Sequence, residues 1–479
     1  MFTVKHHECV GFESKWKVKK VSANNSCQTE FRTTETGSNT SERKSQEVQT
    51  EKTEPTQTDV DMEKLGKWLS KIYPQVKEQI DNSNNSRIFQ NYRLLDDPID
   101  ATCKLVQTLQ VASKGETGSK AIPIIASLQW NNSGKSLAVP YNYKHRTWCH
   151  HAGIICIYTL NRDCLSDTPK KRLSTESCVT SIKYHPIHSG ILAAGTFTGQ
   201  IYIWNVENDV DPLICNILAH DEYITQISWM NYIDATNSVC LASSSTDGLL
   251  KLWNFDITNN ILKIKITYKI KTPVLAKMNQ TTEVSEALLD KGQLGLVGFD
   301  FSKNIPDLFI VALEGGLIVR CTMLGTTQLK GTATETYFYD PVFKYYEPHK
   351  GEIVAIKFSP DRKDLFLTSG TDGQIRIYRI DQDEPAQVIF TKSPLNDISY
   401  IPHEEKLVAA CGQHGTMEVY HLISGKSVPL SFNAKITRSN LTSLAVNSGN
   451  TKFVVLGNKN GQLQLWSVPW QSIEFQNRK

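Results

Sequence analysis

Several features that would indicate a particular class of protein are missing from this sequence. No stretch of its 479 residues approaches the roughly 18 uninterrupted apolar residues of a transmembrane helix. The first residues lack the apolar core of a secretory signal peptide. Neither sign of charge dominates, since 52 lysines and arginines stand against 49 acidic residues. The sequence therefore gives no reason to expect nucleic-acid or membrane partners.

Paired cysteines and phosphate-binding loops are also missing. The chain has 11 cysteines, an odd number, and no CxxC pair, which predicts reduced thiols in a cytosolic protein. No GxxxxGK[ST] sequence occurs, so the chain is not expected to bind and hydrolyse a nucleotide. We predict no enzyme activity, no cofactor and no bound metal.

A glycine followed by a short alternating apolar run occurs seven times, at intervals of 42 to 68 residues. The copies are Gly153-IICI-Tyr158, Gly199-QIYI-Trp204, Gly248-LLKL-Trp253, Gly316-LIVR-Cys321, Gly373-QIRI-Tyr378, Gly415-TMEV-Tyr420 and Gly461-QLQL-Trp466. Apolar strands precede each copy, and this order predicts an all-β fold, a seven-bladed β-propeller over 102–470. Cys103–Val111 is a candidate for its closing outer strand, and the widest intervals predict loops near 272–292 and 325–348.

Two of these repeats resemble the WD-repeat family in detail. Asp247 lies six residues before Trp253, and Asp372 lies six before Tyr378. The resemblance implies a buried hydrogen-bond network in each blade. One would join His220, Asp247 and Trp253 through Ser243 or Ser245; the other would join His349, Asp372 and Tyr378 through Thr368 or Ser369. Because these residues recur with the blade period, we favour a structural role over a catalytic triad.

One group of residues resembles a metal site: His145, Cys149, His150 and His151. Adjacent histidines on a strand point to opposite faces, so His150 and His151 cannot easily reach one ion. We therefore favour an ordinary loop.

Residues 1–61 are rich in Ser, Thr, Glu, Gln and Asn and hold too few apolar residues to bury a core. They are therefore predicted to be disordered in the absence of a partner. A Gln-Thr pair followed by an acid occurs three times in this tail. The three copies match the motif that the eight-kilodalton dynein light chain binds by strand addition. The candidate light-chain-binding residues are Cys27, Gln28, Thr29, Val48, Gln49, Thr50, Thr56, Gln57 and Thr58.

Residues 62–81 show apolar side chains at helical spacing, which predicts an amphipathic helix. Pro74 is expected to break or kink this helix, so that one helix runs to about Tyr73 and a second turn starts at Pro74. The apolar stripe could pack on the propeller or sit in a partner's groove, and we favour the partner. The stripe contains Leu65, Trp68, Leu69, Ile72, Tyr73 and Val76. Residues 82–101 would be a linker and 471–479 a C-terminal tail.

Together, the Gln-Thr tail, the amphipathic helix and the seven-bladed propeller resemble the WD-repeat dynein intermediate chains. They are most similar to the intermediate chain of the dynein that drives retrograde intraflagellar transport in cilia. The resemblance implies a non-catalytic motor subunit of the cytoplasm, cytoskeleton and cilium, at axoneme and basal body. Its propeller would bind a dynein heavy chain and its Gln-Thr motifs the eight-kilodalton light-chain dimers. A roadblock-type light-chain dimer would bind the helix. The light chains would join this tail to the tail of a second, different intermediate chain.

Two other classes stay open. A generic cytosolic WD-repeat scaffold or substrate adaptor would share the propeller without needing the Gln-Thr motifs. A propeller enzyme would need polar catalytic groups at the central channel, whereas the sequence offers only His and Asp residues that recur with the blades.

Overall fold

The computed structural model describes residues 61–85, 102–110, 123–145, 148–149, 151–231, 239–270, 294–330, 337–413, 415–433 and 439–470. They belong to two compact units, divided between residues 94 and 95. The first 60 residues, which carry the three Gln-Thr motifs, lie outside the described residues, as do 86–101 and 471–479.

In the first unit, helix α1 runs from Met62 to Asn85. Asp61 caps its start, because its carboxylate accepts hydrogen bonds from the backbone N–H groups of Glu63 and Lys64, both at 3.2 Å. No helix among the described residues combines the length and apolar character needed to cross a bilayer.

The predicted break at Pro74 is wrong, since α1 continues through this residue. A proline removes one backbone donor and crowds the carbonyl four residues earlier, which kinks a helix without necessarily ending it. The turn after Pro74, residues 75–79, is rich in Gln, Lys and Glu, which favour helix and offset the cost of the proline.

The second unit is built of strands. In chain order the first are β1 (Thr102–Gln110), β2 (Ile124–Ile125), β3 (Gln129–Trp130), β4 (Ser136–Asn142), β5 (Gly153–Asn161), β6 (Cys164–Leu165), β7 (Lys171–Thr175), β8 (Val179–Tyr184), β9 (Ile191–Thr196), β10 (Gln200–Asn205) and β11 (Leu213–Leu218). Next come β12 (Ile224–Asn231), β13 (Val239–Ser245), β14 (Leu249–Asp256), β15 (Ile261–Lys269), β16 (Leu296–Phe301), β17 (Leu308–Leu313), β18 (Ile318–Thr322), β19 (Thr327–Lys330), β20 (Tyr337–Asp340), β21 (Val342–Tyr346) and β22 (Ile353–Phe358). The last are β23 (Leu365–Gly370), β24 (Gln374–Arg379), β25 (Pro385–Phe390), β26 (Leu395–Ile401), β27 (Glu404–Gly412), β28 (Met417–His421), β29 (Lys426–Val428), β30 (Ser431–Phe432), β31 (Leu441–Val446), β32 (Phe453–Asn458) and β33 (Gln462–Ser467).

These strands form seven sheets, antiparallel except where β1 pairs with β30 and β15 with β20. This confirms the prediction of a seven-bladed β-propeller. The first blade combines β2 and β3 with β4, β5 and β7, and β6 extends the far end of β5. Blades two to six are β8–β11, β12–β15, β16–β18 with β21, β22–β25 and β26–β29. The seventh is β31–β33 with β1, and β30 pairs with the outer edge of β1.

The ring closes through β1, the first strand of the propeller. It pairs antiparallel with β33, the last, and brings Leu105 opposite Trp466 and Leu109 opposite Leu463. The candidate closing strand at Cys103–Val111 is therefore found in that position. Without β1, the edge of β33 would be open.

The segment expected to be a loop at 325–348 is mostly strand. Here β19 and β20 form a hairpin that adds to the third blade, where Tyr339 of β20 pairs with Tyr268 of β15. The following β21 is the outer strand of the fourth blade. The aromatic residues in this segment favour strands, so the long interval between glycines holds an inserted hairpin. The other expected loop, 272–292, lies outside the described residues.

The core lies mainly between neighbouring blades. Side chains of one sheet pack on those of the next, as where Ile155 of β5 and Leu173 of β7 meet Ile182 of β8 and Trp204 of β10. A blade buries its faces only when both neighbours are present, which makes the closed ring the stable unit.

Candidate functional sites

The third blade holds the first predicted network. Nδ1 of His220 lies 2.8 Å from Oδ2 of Asp247, and its Nε2 lies 2.8 Å from Oγ of Ser243. The indole Nε1 of Trp253 donates to the same Ser243 oxygen at 2.9 Å. Ser243 therefore completes the set, whereas the hydroxyl oxygen of Ser245 accepts from the backbone N–H of Asp247.

The charge of Asp247 is stabilised inside this network. Burial alone would raise the pKa of its carboxyl group, but the hydrogen bond and charge of His220 hold the pKa below its usual value. The other carboxylate oxygen, Oδ1, accepts from the backbone N–H of Leu249 at 2.9 Å. Asp247 thus fixes the turn between β13 and β14 to the histidine that precedes the blade.

The fifth blade repeats most of this arrangement. Nδ1 of His349 lies 2.9 Å from Oδ2 of Asp372, and its Nε2 lies 2.7 Å from Oγ1 of Thr368. Burial again opposes ionisation, while the hydrogen bond and charge of His349 bring the pKa of Asp372 below its usual value.

Tyr378 does not complete the network as expected. Its hydroxyl group donates to the backbone carbonyl of Glu347 at 2.8 Å, and its ring stacks on Phe366 at 5.1 Å between centroids. The hydroxyl group of a tyrosine lies at the far end of its ring, so the Tyr378 hydroxyl group lies beyond Thr368. The indole N–H of a tryptophan lies closer to the backbone and can reach a hydroxyl group on the neighbouring strand. Tyr378 keeps the packing role of the tryptophan and loses its bond to the strand hydroxyl.

Ser243, His220 and Asp247 make the contacts of a catalytic triad, but they join strands inside the blade. Oγ of Ser243 contacts both His220 and Trp253, and all three side chains are buried. A substrate would have to displace the packed tryptophan to reach the hydroxyl group.

A charged group on the inner strands was not recognised in the sequence. Lys183 of β8, Asp300 of β16, Lys357 of β22 and Asp397 of β26 interact electrostatically with one another. Burial lowers the pKa of Lys183 to about 8 and raises those of both aspartates. Nothing in a single strand marks these positions, since only ring closure brings four blades to one centre.

Both aspartates of this group join neighbouring blades. Oδ2 of Asp300 accepts from the backbone N–H of Phe358 at 2.7 Å, and Oδ2 of Asp397 accepts from that of Leu444 at 2.9 Å. The Lys357 ammonium group donates to the carbonyl of Ile398. These bonds account for the charged groups as links between inner strands.

The predicted partner-binding stripe lies along α1. Five of its residues are exposed, among them Trp68 at 55%, and Ile72 is half-buried. An unusually apolar, exposed helix face indicates an interaction surface. The exposed members are Leu65, Trp68, Leu69, Tyr73 and Val76.

Three of the four residues considered and set aside as a metal site come together with a further cysteine. Ligand atoms of His145, Cys149, His151 and Cys178 all lie within 4.8 Å of one another. His150, the residue on which the argument for a loop depended, lies outside the described residues. Cys178 is far along the chain, directly before β8, and only the contact between the first two blades places it here.

The ring of seven blades with its His–Ser–Asp–Trp network defines a WD-repeat β-propeller. A family model described as "WD domain, G-beta repeat" matches residues 212–254 and 340–379. These two matches contain the His220 and His349 networks. The remaining blades lack parts of that residue set.

Among known proteins, the chain is similar to dynein intermediate chains. It is 24% identical over 360 residues to "Cytoplasmic dynein 2 intermediate chain 2" of Homo sapiens, covering 73% of this chain and 66% of that protein. The mouse protein of the same name is 22% identical, with 85% and 76% covered. "Dynein intermediate chain 2, ciliary" of Heliocidaris crassispina is also 22% identical, with 81% and 52% covered.

The chain therefore resembles the WD-repeat dynein intermediate chains, including that of dynein 2. This similarity supports a role as a dynein subunit.

Proposed function

We propose that this chain is a non-catalytic intermediate chain of the dynein that drives retrograde intraflagellar transport. The observation that carries the proposal is the similarity to dynein 2 intermediate chains, which extends over 73% and 85% of the chain in two relatives. The expected location is the cytoplasm, the cytoskeleton and the cilium, at axoneme and basal body. ATP hydrolysis would belong to the heavy chain.

The propeller is proposed to bind the tail of one heavy chain. Its seven blades form a closed ring with inner strands joined by side-chain bonds such as those of Asp300 and Asp397. A rigid platform of this kind binds a partner with little loss of conformational entropy.

The tail before α1 is proposed to bind eight-kilodalton light-chain dimers through the pairs at Gln28, Gln49 and Gln57. Strand addition suits an extended polar segment, because backbone hydrogen bonds supply affinity and alternate side chains supply specificity. Each dimer has two grooves, so it would also bind the tail of a second intermediate chain. Several weak sites in a row then gain roughly 10²–10⁴ in avidity.

Helix α1 is proposed to bind a roadblock-type light-chain dimer. Its apolar stripe follows the spacing of a helix that sits in a groove, with anchors one turn apart. Trp68 is the largest exposed side chain of the stripe, and buried tryptophans commonly dominate the energy of an interface.

Calorimetric titration of the full chain with each light chain tests both binding regions. We expect Gln28→Ala, Gln49→Ala and Gln57→Ala to remove eight-kilodalton light-chain sites one at a time. Trp68→Ala should weaken roadblock-type binding by about 30-fold or more, as expected for an interface anchor worth roughly 2 kcal/mol. Lys67→Ala, on the opposite face of α1, is the matched control.

Failure of the unaltered chain to bind either light chain would contradict the dynein-specific proposal. The propeller would then support only a generic WD-repeat scaffold or substrate adaptor. Equal losses for Trp68→Ala and Lys67→Ala would contradict the assignment of the stripe while leaving the Gln-Thr sites in place.

A further inference from the structure

We propose that His145, Cys149, His151 and Cys178 form a structural zinc site at the junction of the first two blades. This inference is independent of the proposed motor function. Three of the residues lie in the segment between β4 and β5, and the fourth lies directly before β8.

The distances suit a tetrahedral ion. All four ligand atoms lie within 4.8 Å of one another. Zinc bonds of about 2.3 Å to sulfur and about 2.0–2.1 Å to nitrogen place neighbouring ligands roughly 3.3–3.8 Å apart. Small side-chain rotations would bring the four atoms to that spacing. Two thiolates and two imidazoles with no open position are the ligand set of a structural zinc site.

Two ring nitrogens of this group are left without other partners. Nε2 of His145 and Nδ1 of His151 are buried, and neither has a hydrogen-bond partner among the described residues. Leaving such buried atoms unpaired destabilises the fold. A metal ion between them would account for both.

The surrounding contacts already orient the ligands. Sγ of Cys149 accepts a hydrogen bond from the backbone N–H of Cys178 at 3.3 Å, as outer-shell donors do at metal-bound thiolates. The ring of His145 stacks on Phe197 at 4.8 Å, and His151 lies against Tyr143 at 5.1 Å. Aromatic packing therefore fixes both imidazoles beside the cysteines.

The site also explains a peculiarity of the first blade. In the other six blades the second and third strands are joined by a tight turn with a glycine at positive φ. In the first blade residues 143–152 take the place of that turn. A zinc ion held by this segment and by Cys178 would fasten the long connection to the next blade.

The test is the zinc content of the full chain, purified without a polyhistidine tag and under reducing conditions. We expect about one zinc ion per chain, lost on Cys149→Ser or Cys178→Ser. Replacing a ligand should weaken zinc binding by more than the roughly 10–100-fold that loss of an outer-shell partner costs. Cys164→Ser, an exposed cysteine of the same blade, is the matched control and should keep the ion.

A second measurement uses the unaltered chain and does not depend on whether the variants fold. Replacing zinc with cobalt should give the visible absorption of a tetrahedral site and a sulfur-to-cobalt charge-transfer band. Absence of zinc together with failure to take up cobalt would overturn the proposal. So would zinc retained by the Cys149→Ser and Cys178→Ser double variant, or a disulfide between these two cysteines.

Discussion

The repeat glycines differ from most residues because they adopt a backbone conformation that side chains disfavour. Six of the seven have φ between 69° and 82°, and Gly153, which starts β5 after the long connection, is the exception. Gly199 is also confined by space, since a Cβ atom there would lie 2.1 Å from the backbone oxygen of His220. Gly199, in the turn between β9 and β10, is therefore restricted both by its backbone conformation and by the lack of space for a side chain.

Comparison of Gly199→Ala with Gly325→Ala separates the two effects. Gly325 has a φ of 68° with nothing near its missing Cβ, so alanine there should cost roughly 1 kcal/mol in backbone strain. Gly199→Ala should cost at least about 2 kcal/mol more, because backbone must move as well. Chemical denaturation of both variants measures the difference, and equal losses would contradict the close approach to His220.

A second residue-scale feature is a repeated turn cap after the innermost strand. Nδ1 of His185 accepts from the backbone N–H groups of Ile187 and His188 at 3.1 and 3.0 Å. In the seventh blade Oδ1 of Asn447 accepts from the N–H groups two and three residues on in the same way. In the first blade Oδ1 of Asn131 caps a longer turn by accepting from those four and five residues on. Burial, together with the neighbouring His188, lowers the pKa of His185 to about 4.

This depressed pKa predicts a pH dependence of stability. Between the usual histidine pKa near 6.5 and about 4, the unfolded chain binds a proton that the folded chain does not. The free energy of unfolding should therefore fall as the pH is lowered through this window. In His185→Asn, which supplies the acceptor without the titration, that fall should shrink by up to roughly 3 kcal/mol.

Denaturant unfolding at a series of pH values measures the effect. Asp247 and Asp372, whose pKa values are held low, lose their stabilisation only at still lower pH, below their usual 3.8. Curves for the unaltered chain and His185→Asn that stay parallel from pH 7 to 4 would contradict the neutral turn cap.

At the scale of elements, ring closure depends on the pairing of β1 with β33. Of the described strand pairs, these two lie farthest apart along the chain. Cys103 is fully buried in the same core cluster as Trp466 of β33. Because β1 completes the seventh blade, losing it would expose an edge strand and part of the core.

Two shortened chains test this closure. A chain that begins at residue 95 keeps β1 and should unfold at the temperature of the full chain, since that unit has its own core. A chain that begins at residue 112 lacks β1 and should unfold at a markedly lower temperature or lose cooperativity. Thermal unfolding by circular dichroism measures both, and identical midpoints would refute the role of β1.

Elements were predictable where a local pattern determines them. The seven glycine runs mark the third strand of each blade, and the alternation in CKLVQTLQV marks β1. The sequence did not reveal that α1 continues through Pro74. Local rules state what a proline costs a helix, but they do not say whether the helix propensity of the neighbouring residues exceeds that cost. It also missed the β19–β20 hairpin, whose partner in the third blade lies far away along the chain.

At the scale of the whole molecule, the propeller and its resemblance to dynein intermediate chains could be read from the sequence. The number of blades followed from repeat spacing, and the two fullest WD-type residue sets, at His220 and His349, stood out from the degenerate ones. The inner charged group and the contribution of Cys178 could not be predicted, because ring closure and contact between blades create them.

The central claim is that this chain is a dynein intermediate chain that binds a heavy chain through its propeller. Co-purification of the full chain with the co-expressed tail of a dynein 2 heavy chain tests it most directly, with the chain from residue 95 as the propeller-only comparison. We expect a stable complex with one heavy-chain tail in both cases, detected by size-exclusion chromatography with mass measurement. Failure of both chains to retain the heavy-chain tail, while both remain folded, would contradict the claim.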